Sequence, residues 1–344
     1  MASLSQKWHF TIGSQTYPVV KSFLPQHVFI VFSVPIVLSR DNSVDYTILI
    51  PVLNEREGLE KTLDEIISLG YDRGRIIVVD GGSTDGTPDV AKRYGVRVVK
   101  QDGRGKADAV KTGLKYVGGD VVVLMDGDYT YPAQAIRSLL DKISEGHDLV
   151  VGARRYVEKG AQSLPYRFGN WFLTKLFNIF YGVKLSDALS GMYAVRRSVL
   201  SEVDFEFKGF SVEAEILSHA LSTGYNVAEV PIKYRRRVGE KKLKIRNGFS
   251  ILASMVMLTW RYNPTFTLLL LGALTLLPGL YFDLYVVVKY LLTGAIHHVR
   301  ALMGAIFTTT GVVSLALAIS VFYLKRMEIR LMRRISQACS HCPP

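Results

Sequence analysis

Two aspartates that follow a short apolar run are well suited by type and spacing to do chemistry. Val121 to Met125 is a run of five apolar residues, and Asp126-Gly127-Asp128 follows it directly. The run predicts a buried strand, and ligands bind at the carboxyl ends of strands in open α/β sheets. Two neighbouring carboxylates repel each other unless a cation lies between them, and Mg²⁺ or Mn²⁺ prefers such oxygen ligands. A solvated turn is the competing interpretation, because Asp and Gly are common in turns.

Strands alternate with helices around this acidic pair. Short apolar runs predict strands at 46–53, 75–79, 96–99, 121–125 and 149–151. Stretches of helical periodicity predict helices at 57–69, 106–117 and 133–145. This alternation indicates an α/β domain built on a doubly wound, mainly parallel sheet.

Polar residues follow several of the predicted strands at the point where each strand ends. They are Pro51, Asn54 and Glu55 after the first strand, Asp80, Ser83 and Asp85 after the second, and Lys106 after the third. Because parallel strands end along one edge of a sheet, these residues can converge on one ligand. The chain has no G-x-G-x-x-G loop after the first strand and no P-loop, so a carboxylate-bound cation is the expected means of holding phosphates.

The charge of the chain indicates an anionic partner. The 344 residues include 42 basic and 30 acidic side chains, for a formal net charge of +12. Seven basic residues fall between Arg235 and Arg246. Poor aromatic interleaving and the apolar segments that follow exclude nucleic acid, which leaves an anionic lipid surface or a phosphate-bearing acceptor. The two cysteines, Cys339 and Cys342, exclude a disulfide framework for the body of the chain.

Two long apolar segments near the C-terminus predict a membrane hairpin. Thr265 to Phe282 and Ala301 to Leu324 contain no charged residue, and each is long enough to span a bilayer. Basic residues flank both ends of the hairpin, which places the α/β domain in the cytoplasm by the positive-inside rule. The protein is therefore expected to be integral to the cell membrane or an endoplasmic-reticulum-type membrane. Phe249 to Trp260 predicts an amphipathic helix at the membrane interface.

The remaining segments complete the predicted domain organisation. The aromatic-rich stretch 166–181 is interpreted as a helix that faces the core, and the first 44 residues as an extra strand or a poorly ordered extension. The predicted divisions are an N-terminal extension (1–44), an α/β domain (45–245), an interfacial helix (246–262), a membrane hairpin (263–324) and a basic cytoplasmic tail (325–344).

An ordered series of motifs between residues 45 and 250 resembles family 2 glycosyltransferases with the GT-A fold. The motifs are Pro51-Val-Leu-Asn54-Glu55, Asp80-Gly-Gly-Ser83-Thr84-Asp85, Asp126-Gly127-Asp128, Gly152-Ala-Arg154, Asp187-Ala-Leu-Ser190-Gly191 and Glu229-Val-Pro231. The series resembles the branch that contains dolichyl-phosphate mannose synthases and related polyprenyl-phosphate sugar transferases.

The resemblance implies a role for each matching residue. The nucleotide sugar would be bound by Pro51, Asn54, Glu55, Asp80, Ser83, Asp85, Lys106, Asp126, Gly127, Asp128 and Arg154. Asp126 and Asp128 would also hold a divalent metal, Mg²⁺ or Mn²⁺, with Thr130 where the mannose synthases often have a Gln ligand. Asp128, Arg154 and Glu215 would be catalytic. The acceptor phosphate would be bound by Arg235, Arg237, Lys241 and Lys242.

The resemblance also implies an activity. A membrane-bound inverting glycosyltransferase would move a hexose from a nucleotide sugar, with GDP-mannose favoured, to dolichyl or polyprenyl phosphate for protein glycosylation. Departures at Thr130, Glu213 and Lys241-Lys242 leave UDP-glucose and UDP-N-acetylglucosamine open as donors. The absence of a Gln-x-x-Arg-Trp run argues against a processive polysaccharide synthase, and the intact acidic pair argues against a membrane-anchored nucleotide-sugar sensor.

Overall fold

The computed structural model divides the chain into two units, Met1–Asn42 and Ser43–Pro344. It describes residues 8–12, 15–19, 44–205, 212–239, 247–295 and 297–339. The first unit contains an antiparallel pair of strands, β1 (Trp8–Ile12) and β2 (Gln15–Val19). The N-terminal extension therefore includes a β-hairpin.

A seven-stranded sheet forms the centre of the described part of the second unit. Its strands are β3 (Tyr46–Val52), β4 (Ile76–Asp80), β5 (Arg97–Lys100), β6 (Val121–Leu124), β7 (Leu149–Val157), β8 (Tyr193–Arg196) and β9 (Val227–Tyr234). Their order in space is β5-β4-β3-β6-β8-β7-β9. Strand β8 is antiparallel to both neighbours, and the other adjacent pairs are parallel. The predicted mainly parallel α/β sheet is thus confirmed.

Helices cover both faces of this sheet. They are α1 (Arg56–Ser68), α2 (Thr87–Arg93), α3 (Lys106–Leu114), α4 (Ala135–Ser144), α5 (Leu164–Tyr181), α6 (Arg197–Glu202) and α7 (Val212–Thr223). Successive residues of β6 point to opposite faces, so Val122 and Leu124 join one apolar layer while Val121 and Val123 join the other. Burial on both faces explains why this strand is a continuous apolar run in the sequence.

Two elements differ from the sequence expectation. Strand β9 was not predicted, and Pro231 is tolerated within it because β9 is an edge strand. The expectation that α5 faces the core is only partly right. Its Leu173 and Phe177 are buried, but Phe168 and Trp171 are 65% and 55% exposed. Helix α5 therefore presents aromatic side chains outward as well as inward.

Three helices follow the sheet, and two of them form a candidate transmembrane hairpin. They are α8 (Asn247–Tyr262), α9 (Pro264–Thr293) and α10 (His298–Cys339). The apolar windows of α9 and α10 are only 11% and 17% buried, unlike helices in a soluble core. Gly279 allows close packing, because a Cβ there would lie 2.5 Å from the backbone nitrogen of Thr308. The Thr308 hydroxyl also donates a hydrogen bond to Asp283 at 2.7 Å.

Candidate active site

The loops that follow β3 and β4 are joined by hydrogen bonds at the carboxyl edge of the sheet. The backbone nitrogen of Asn54 donates to the Ser83 hydroxyl at 2.8 Å, and the backbone nitrogen of Thr84 donates to Asn54 Oδ1 at 2.8 Å. Asn54 has a φ of +49°, a left-handed conformation that Asn adopts more readily than most residues. The structure therefore brings the predicted Asn54 and Ser83 together.

Asp80 and Asp85 shape the same loop by accepting hydrogen bonds. Asp80 accepts from the backbone nitrogens of Gly82 at 3.1 Å and Ser83 at 3.2 Å. Asp85 accepts from the Thr87 hydroxyl at 2.5 Å and from the backbone nitrogen of Arg56 at 3.1 Å. Burial raises the pKa of Asp85, but these hydrogen bonds outweigh burial, so its pKa is lowered overall. Asp85 thus links the β4 loop to the start of α1.

Asp126 lies at the end of β6 in a chain of three charged groups. The Lys106 ammonium, at the start of α3, is 2.5 Å from Asp126 Oδ1 and 2.6 Å from Glu213 Oε1 of α7. Burial lowers the pKa of Lys106, but the two carboxylates outweigh it and raise the pKa well above its ordinary value. Lys106 is therefore a permanent cation that fixes Asp126 relative to α7.

Both carboxylate oxygens of Asp128 have partners. Oδ1 accepts from the Thr130 hydroxyl at 2.5 Å and from its backbone nitrogen at 3.1 Å, while Oδ2 is 3.0 Å from Arg237 Nη1. Burial and the nearby Asp126 raise the pKa of Asp128 in spite of Arg237. Thr130, expected at the position of a third metal ligand, therefore orients the Asp128 carboxylate.

Glycines allow other elements to approach the acidic pair. A Cβ on Gly58 of α1 would lie 2.8 Å from the Asp128 Cα and 2.9 Å from the Gly127 oxygen. A Cβ on Gly191 would collide with Asp126 Oδ2. Both distances are shorter than real Cβ atoms allow. The loop after β6 can therefore approach these two positions closely because glycine has no side chain.

Arg154 occupies a different environment from the one predicted. Its Nε and Nη2 donate to Asp187 at 2.5 and 2.8 Å, and Nη2 also donates to the Asn170 side chain and the Leu189 carbonyl. Burial lowers the pKa of Arg154, but Asp187 outweighs it and raises that pKa. Because these partners hold Nε and Nη2 of the guanidinium, the geometry favours a positioning role for Arg154, and its contact with the donor diphosphate stays a prediction.

The residues predicted to bind the acceptor phosphate have different environments in the structure. Arg235 forms a bidentate ion pair with Glu65 of α1 at 2.7 and 2.8 Å, so it anchors the segment after β9 rather than facing an acceptor. Arg237 pairs with Glu55 and Asp128 inside the predicted donor site. Lys241 and Lys242 lie outside the described residues.

Of the two glutamates near the start of α7, the structure favours Glu213 for the site. Glu215, expected to be catalytic, is fully buried, whereas the partly exposed Glu213 side chain reaches Lys106. Helical spacing indicated that the two point to different sides, but it could not indicate which side meets β6.

The residues around Asp126 and Asp128 fit a divalent cation. Four carboxylates are paired with two basic side chains: Glu55, Asp126, Asp128 and Glu213 with Lys106 and Arg237. A net charge of about −2 and hard oxygen donors suit Mg²⁺ or Mn²⁺. Within the described ranges no cluster of three His, Cys, Asp or Glu side chains could hold a metal. Water and substrate phosphates would therefore complete the coordination, as Mg²⁺ sites usually require.

A mainly parallel sheet with an acidic pair at the end of a central strand defines a site of the nucleotide-sugar transferase class. The family model described as glycosyl transferase family 2 matches residues 47–204. The chain is 35% identical over 201 residues to a dolichyl-phosphate hexose transferase of Haloferax volcanii, which covers 58% of this chain and 86% of that protein. The chain therefore belongs to glycosyltransferase family 2, in the branch of polyprenyl-phosphate sugar transferases.

Two further comparisons agree with this assignment. A dolichol-phosphate mannosyltransferase of Pyrococcus furiosus is 33% identical over 227 residues, which are 60% of this chain and 61% of that protein. A solved structure of glucosyl-3-phosphoglycerate synthase from Mycobacterium tuberculosis superposes with a TM-score of 0.51 at 25% identity, over 61% of this chain and 78% of that chain. The predicted GT-A fold is thus confirmed.

Proposed function

We propose that this chain transfers a hexose from a nucleotide sugar to dolichyl or another polyprenyl phosphate, with inversion at the anomeric carbon. The observation that carries the proposal is the acidic pair at the end of β6, held by Lys106 and Arg237 beside the β3 and β4 loops. The names of the Haloferax and Pyrococcus relatives support the lipid acceptor.

The donor would lie along the carboxyl edge of the sheet. Asn54 and Glu55 line this edge from the β3 loop, and Asp80 and Ser83 line it from the β4 loop. A divalent metal, when bound at Asp126 and Asp128, would neutralise the negative charge of the donor diphosphate. The glucosyl-3-phosphoglycerate synthase structure was solved with Mn²⁺ and UDP-glucose, which supports this use of the acidic pair.

The transfer needs no protein nucleophile. A phosphate oxygen of the acceptor is already anionic and attacks the anomeric carbon directly, while the bond from that carbon to the donor diphosphate breaks. A single displacement of this kind inverts the configuration, so an α-linked donor gives a β-linked lipid-phosphate sugar. The protein contributes mainly position and electrostatic stabilisation.

The candidate hairpin suits a lipid acceptor. Helices α9 and α10 leave most of their apolar side chains on the outside, and α8 joins them to the sheet domain with Trp260 60% exposed. A polyprenyl chain dissolves in the bilayer, so a hairpin that enters the same bilayer raises the local concentration of acceptor at the site.

A donor panel tests the proposal. GDP-mannose, UDP-glucose and UDP-N-acetylglucosamine, each radiolabelled, are incubated with dolichyl phosphate and the full chain, with and without Mn²⁺. We expect Mn²⁺-dependent labelling of the lipid with one donor, GDP-mannose in first place, and a loss of at least about 100-fold in Asp128→Ala.

Asp141→Ala is the matched control, because Asp141 is an exposed carboxylate on α4 that pairs with Arg137 of the same helix. Wild-type rates in Asp128→Ala would refute the role of the acidic pair. Tight nucleotide binding without transfer from any donor would favour a nucleotide-sugar sensor instead.

A further inference from the structure

Arg237 joins two carboxylates that belong to different elements of the site. Its guanidinium contacts Glu55, at the end of the β3 loop, and lies 3.0 Å from Asp128 Oδ2, after β6. The three side chains are largely enclosed, with 20% of Arg237, 7% of Glu55 and 8% of Asp128 exposed. A basic side chain therefore occupies the space between the β3 loop and the acidic pair.

This contact competes with a metal for the same oxygen. Asp128 Oδ1 already accepts two hydrogen bonds from Thr130, which leaves Oδ2 as the oxygen available to a cation. A divalent cation binds a carboxylate oxygen at about 2.0–2.2 Å and repels another cation that is paired with that oxygen. Arg237 and a metal therefore compete for Asp128 Oδ2.

The backbone around Arg237 is attached to the same loop. The backbone nitrogen of Arg235 donates to the Thr130 carbonyl at 2.9 Å, and that of Val238 donates to the Asp128 carbonyl at 3.2 Å. Arg237 Nε is buried and has no hydrogen-bond partner within the described residues. An unsatisfied buried donor makes the contact less stable than its ion pairs suggest, so it can be released.

We propose that the contact of Arg237 with Asp128 and Glu55 is an autoinhibitory latch. In the latched state Arg237 replaces the metal as the counter-ion of Asp128. Loading of the metal displaces Arg237 and loosens residues 237–239 from the loop after β6, while Arg235 stays paired with Glu65. This inference rests on the proposed function, and it adds that Arg237 becomes available to the acceptor phosphate only when the metal is bound at Asp128.

Metal affinity is the first test. Mn²⁺ binding to the detergent-solubilised full chain is measured by electron paramagnetic resonance for the wild type, Arg237→Gln and Arg236→Gln. Arg236 is the matched control, because it is an adjacent exposed arginine whose Nε donates to the Lys159 carbonyl, away from the acidic pair. We expect Mn²⁺ to bind at least about threefold more tightly to Arg237→Gln, the size expected when a competing ion pair is removed. Arg236→Gln should match the wild type.

Hydrogen–deuterium exchange of residues 235–239 is the second test. Mn²⁺ alone should increase exchange there in the wild type and in Arg236→Gln, because the Val238 amide loses the Asp128 carbonyl as its acceptor. In Arg237→Gln, exchange should already be high without Mn²⁺. A merely structural Arg237 would leave exchange in the wild type unchanged when Mn²⁺ binds.

The outcomes separate the latch from the proposed function. Equal, measurable Mn²⁺ affinities in the wild type and Arg237→Gln, or unchanged exchange in the wild type on Mn²⁺ binding, would overturn the latch and leave the transferase proposal standing. Absence of Mn²⁺ binding in all three proteins would overturn both the metal site and the latch.

Discussion

Arg154 and Asp187 form an ion pair that supports the site indirectly, by positioning a turn beside Asp126. The pair is enclosed, with 12% of the Arg154 side chain and 3% of the Asp187 side chain exposed. Asp187 precedes the turn that contains Gly191, whose missing side chain makes room for Asp126. We infer that the pair holds this turn in place and so fixes the position of Asp126.

The charge of Asp187 should be visible in the pH dependence of stability. Burial raises its pKa, but Arg154 outweighs burial and the folded-state pKa is lowered. The unfolded chain therefore takes up the proton first as the pH falls. The contribution of Asp187 is complete above its unfolded pKa of about 3.9 and is lost as the pH falls through the lower folded value.

Asp187→Asn tests this expectation. The variant leaves Arg154 without its counter-ion, so we expect it to be less stable than the wild type by about 3–5 kcal/mol at pH 7. The difference should shrink below about pH 4, because the unfolded wild type then takes up a proton at Asp187 that the folded wild type binds only at lower pH. Unfolding midpoints in detergent measure both effects, with the exposed Asp141→Asn as control. A difference that stays constant to pH 3 would contradict the lowered pKa.

At the scale of single residues, the sequence identified the acidic pair but not its partners. Asp126 and Asp128 stand out because they end an apolar run. The networks that hold them join distant parts of the chain: Lys106 is 20 residues from Asp126 but 107 from Glu213, and Arg237 is 182 residues from Glu55. Periodicity reports local structure only. The assignment of Arg237 to the acceptor therefore missed its contact with the donor side.

At the scale of elements, helix α1 is packed directly against the loop that carries the two aspartates. Gly58 makes this packing possible, as its Cα faces the Gly127 and Asp128 backbone. Gly58→Ala would push the helix and the loop apart, at a cost of about 1–3 kcal/mol. We expect a lower melting temperature and weaker Mn²⁺ binding, because the aspartates move together with the loop.

Gly169→Ala is the control for this substitution. Gly169 lies within α5, and a Cβ there has no atom within 4 Å. Alanine is the better helix former by about 1 kcal/mol, so this variant should be as stable as the wild type or slightly more stable. Equal stability and Mn²⁺ affinity of Gly58→Ala and the wild type would contradict the close packing of α1.

The exposed aromatic side chains of helix α5 lead to a second prediction at the scale of elements. Phe168 and Trp171 lie exposed with their rings 5.7 Å apart, and the same helix contacts α8 through a hydrogen bond from the Tyr181 hydroxyl to the Leu258 carbonyl. Aromatic side chains are enriched where proteins meet the headgroup region. We expect α5 to lie at the membrane surface beside α8.

Fluorescence quenching by brominated phospholipids measures this contact. A variant that keeps Trp171 and replaces Trp8 and Trp260 with Phe is reconstituted into nanodiscs. Trp171 should be quenched, whereas a tryptophan placed at exposed Leu69, at the C-terminal end of α1, serves as the reference for a position on another helix. Equal, low quenching at both positions would show that α5 faces water.

The elements themselves were largely predictable from the sequence. The apolar run of β6 and the periodicity of α1 and α4 led to elements within a few residues of those observed, because burial on one or two faces leaves a direct imprint on the sequence. The outward face of α5 was not predictable. A helix covered by lipid has the same composition as one covered by protein, so periodicity cannot tell what covers it.

At the scale of the whole molecule, the hairpin determines on which side of the membrane the C-terminal tail lies relative to the sheet domain. Two spans return the chain to the side from which it left, so both should lie on the same side of the membrane. The basic residues before α8 and in the second half of α10 favour the cytoplasmic side. Cys339 and Cys342, the chain's two cysteines, provide native reporters of that side.

Cysteine labelling tests this topology. A membrane-impermeant maleimide should label Cys339 and Cys342 in inside-out vesicles but not in sealed cells. In a variant without these cysteines, Ala295→Cys, in the exposed turn between α9 and α10, should show the opposite pattern. Labelling of the native cysteines in sealed cells would place the tail, and with it the sheet domain, outside.

The position of Asp283 along α9, where it accepts a hydrogen bond from Thr308, has a consequence for the distance between the sheet domain and the bilayer. At 1.5 Å per residue, Asp283 lies about 28 Å along α9 from Pro264, close to the hydrocarbon thickness of about 30 Å. A carboxylate is poorly tolerated in the hydrocarbon layer, so we expect Asp283 to lie at the far boundary of that layer. If it stays there, the start of α9 is held at the near boundary, and the sheet edge keeps a constant distance from the lipid headgroups.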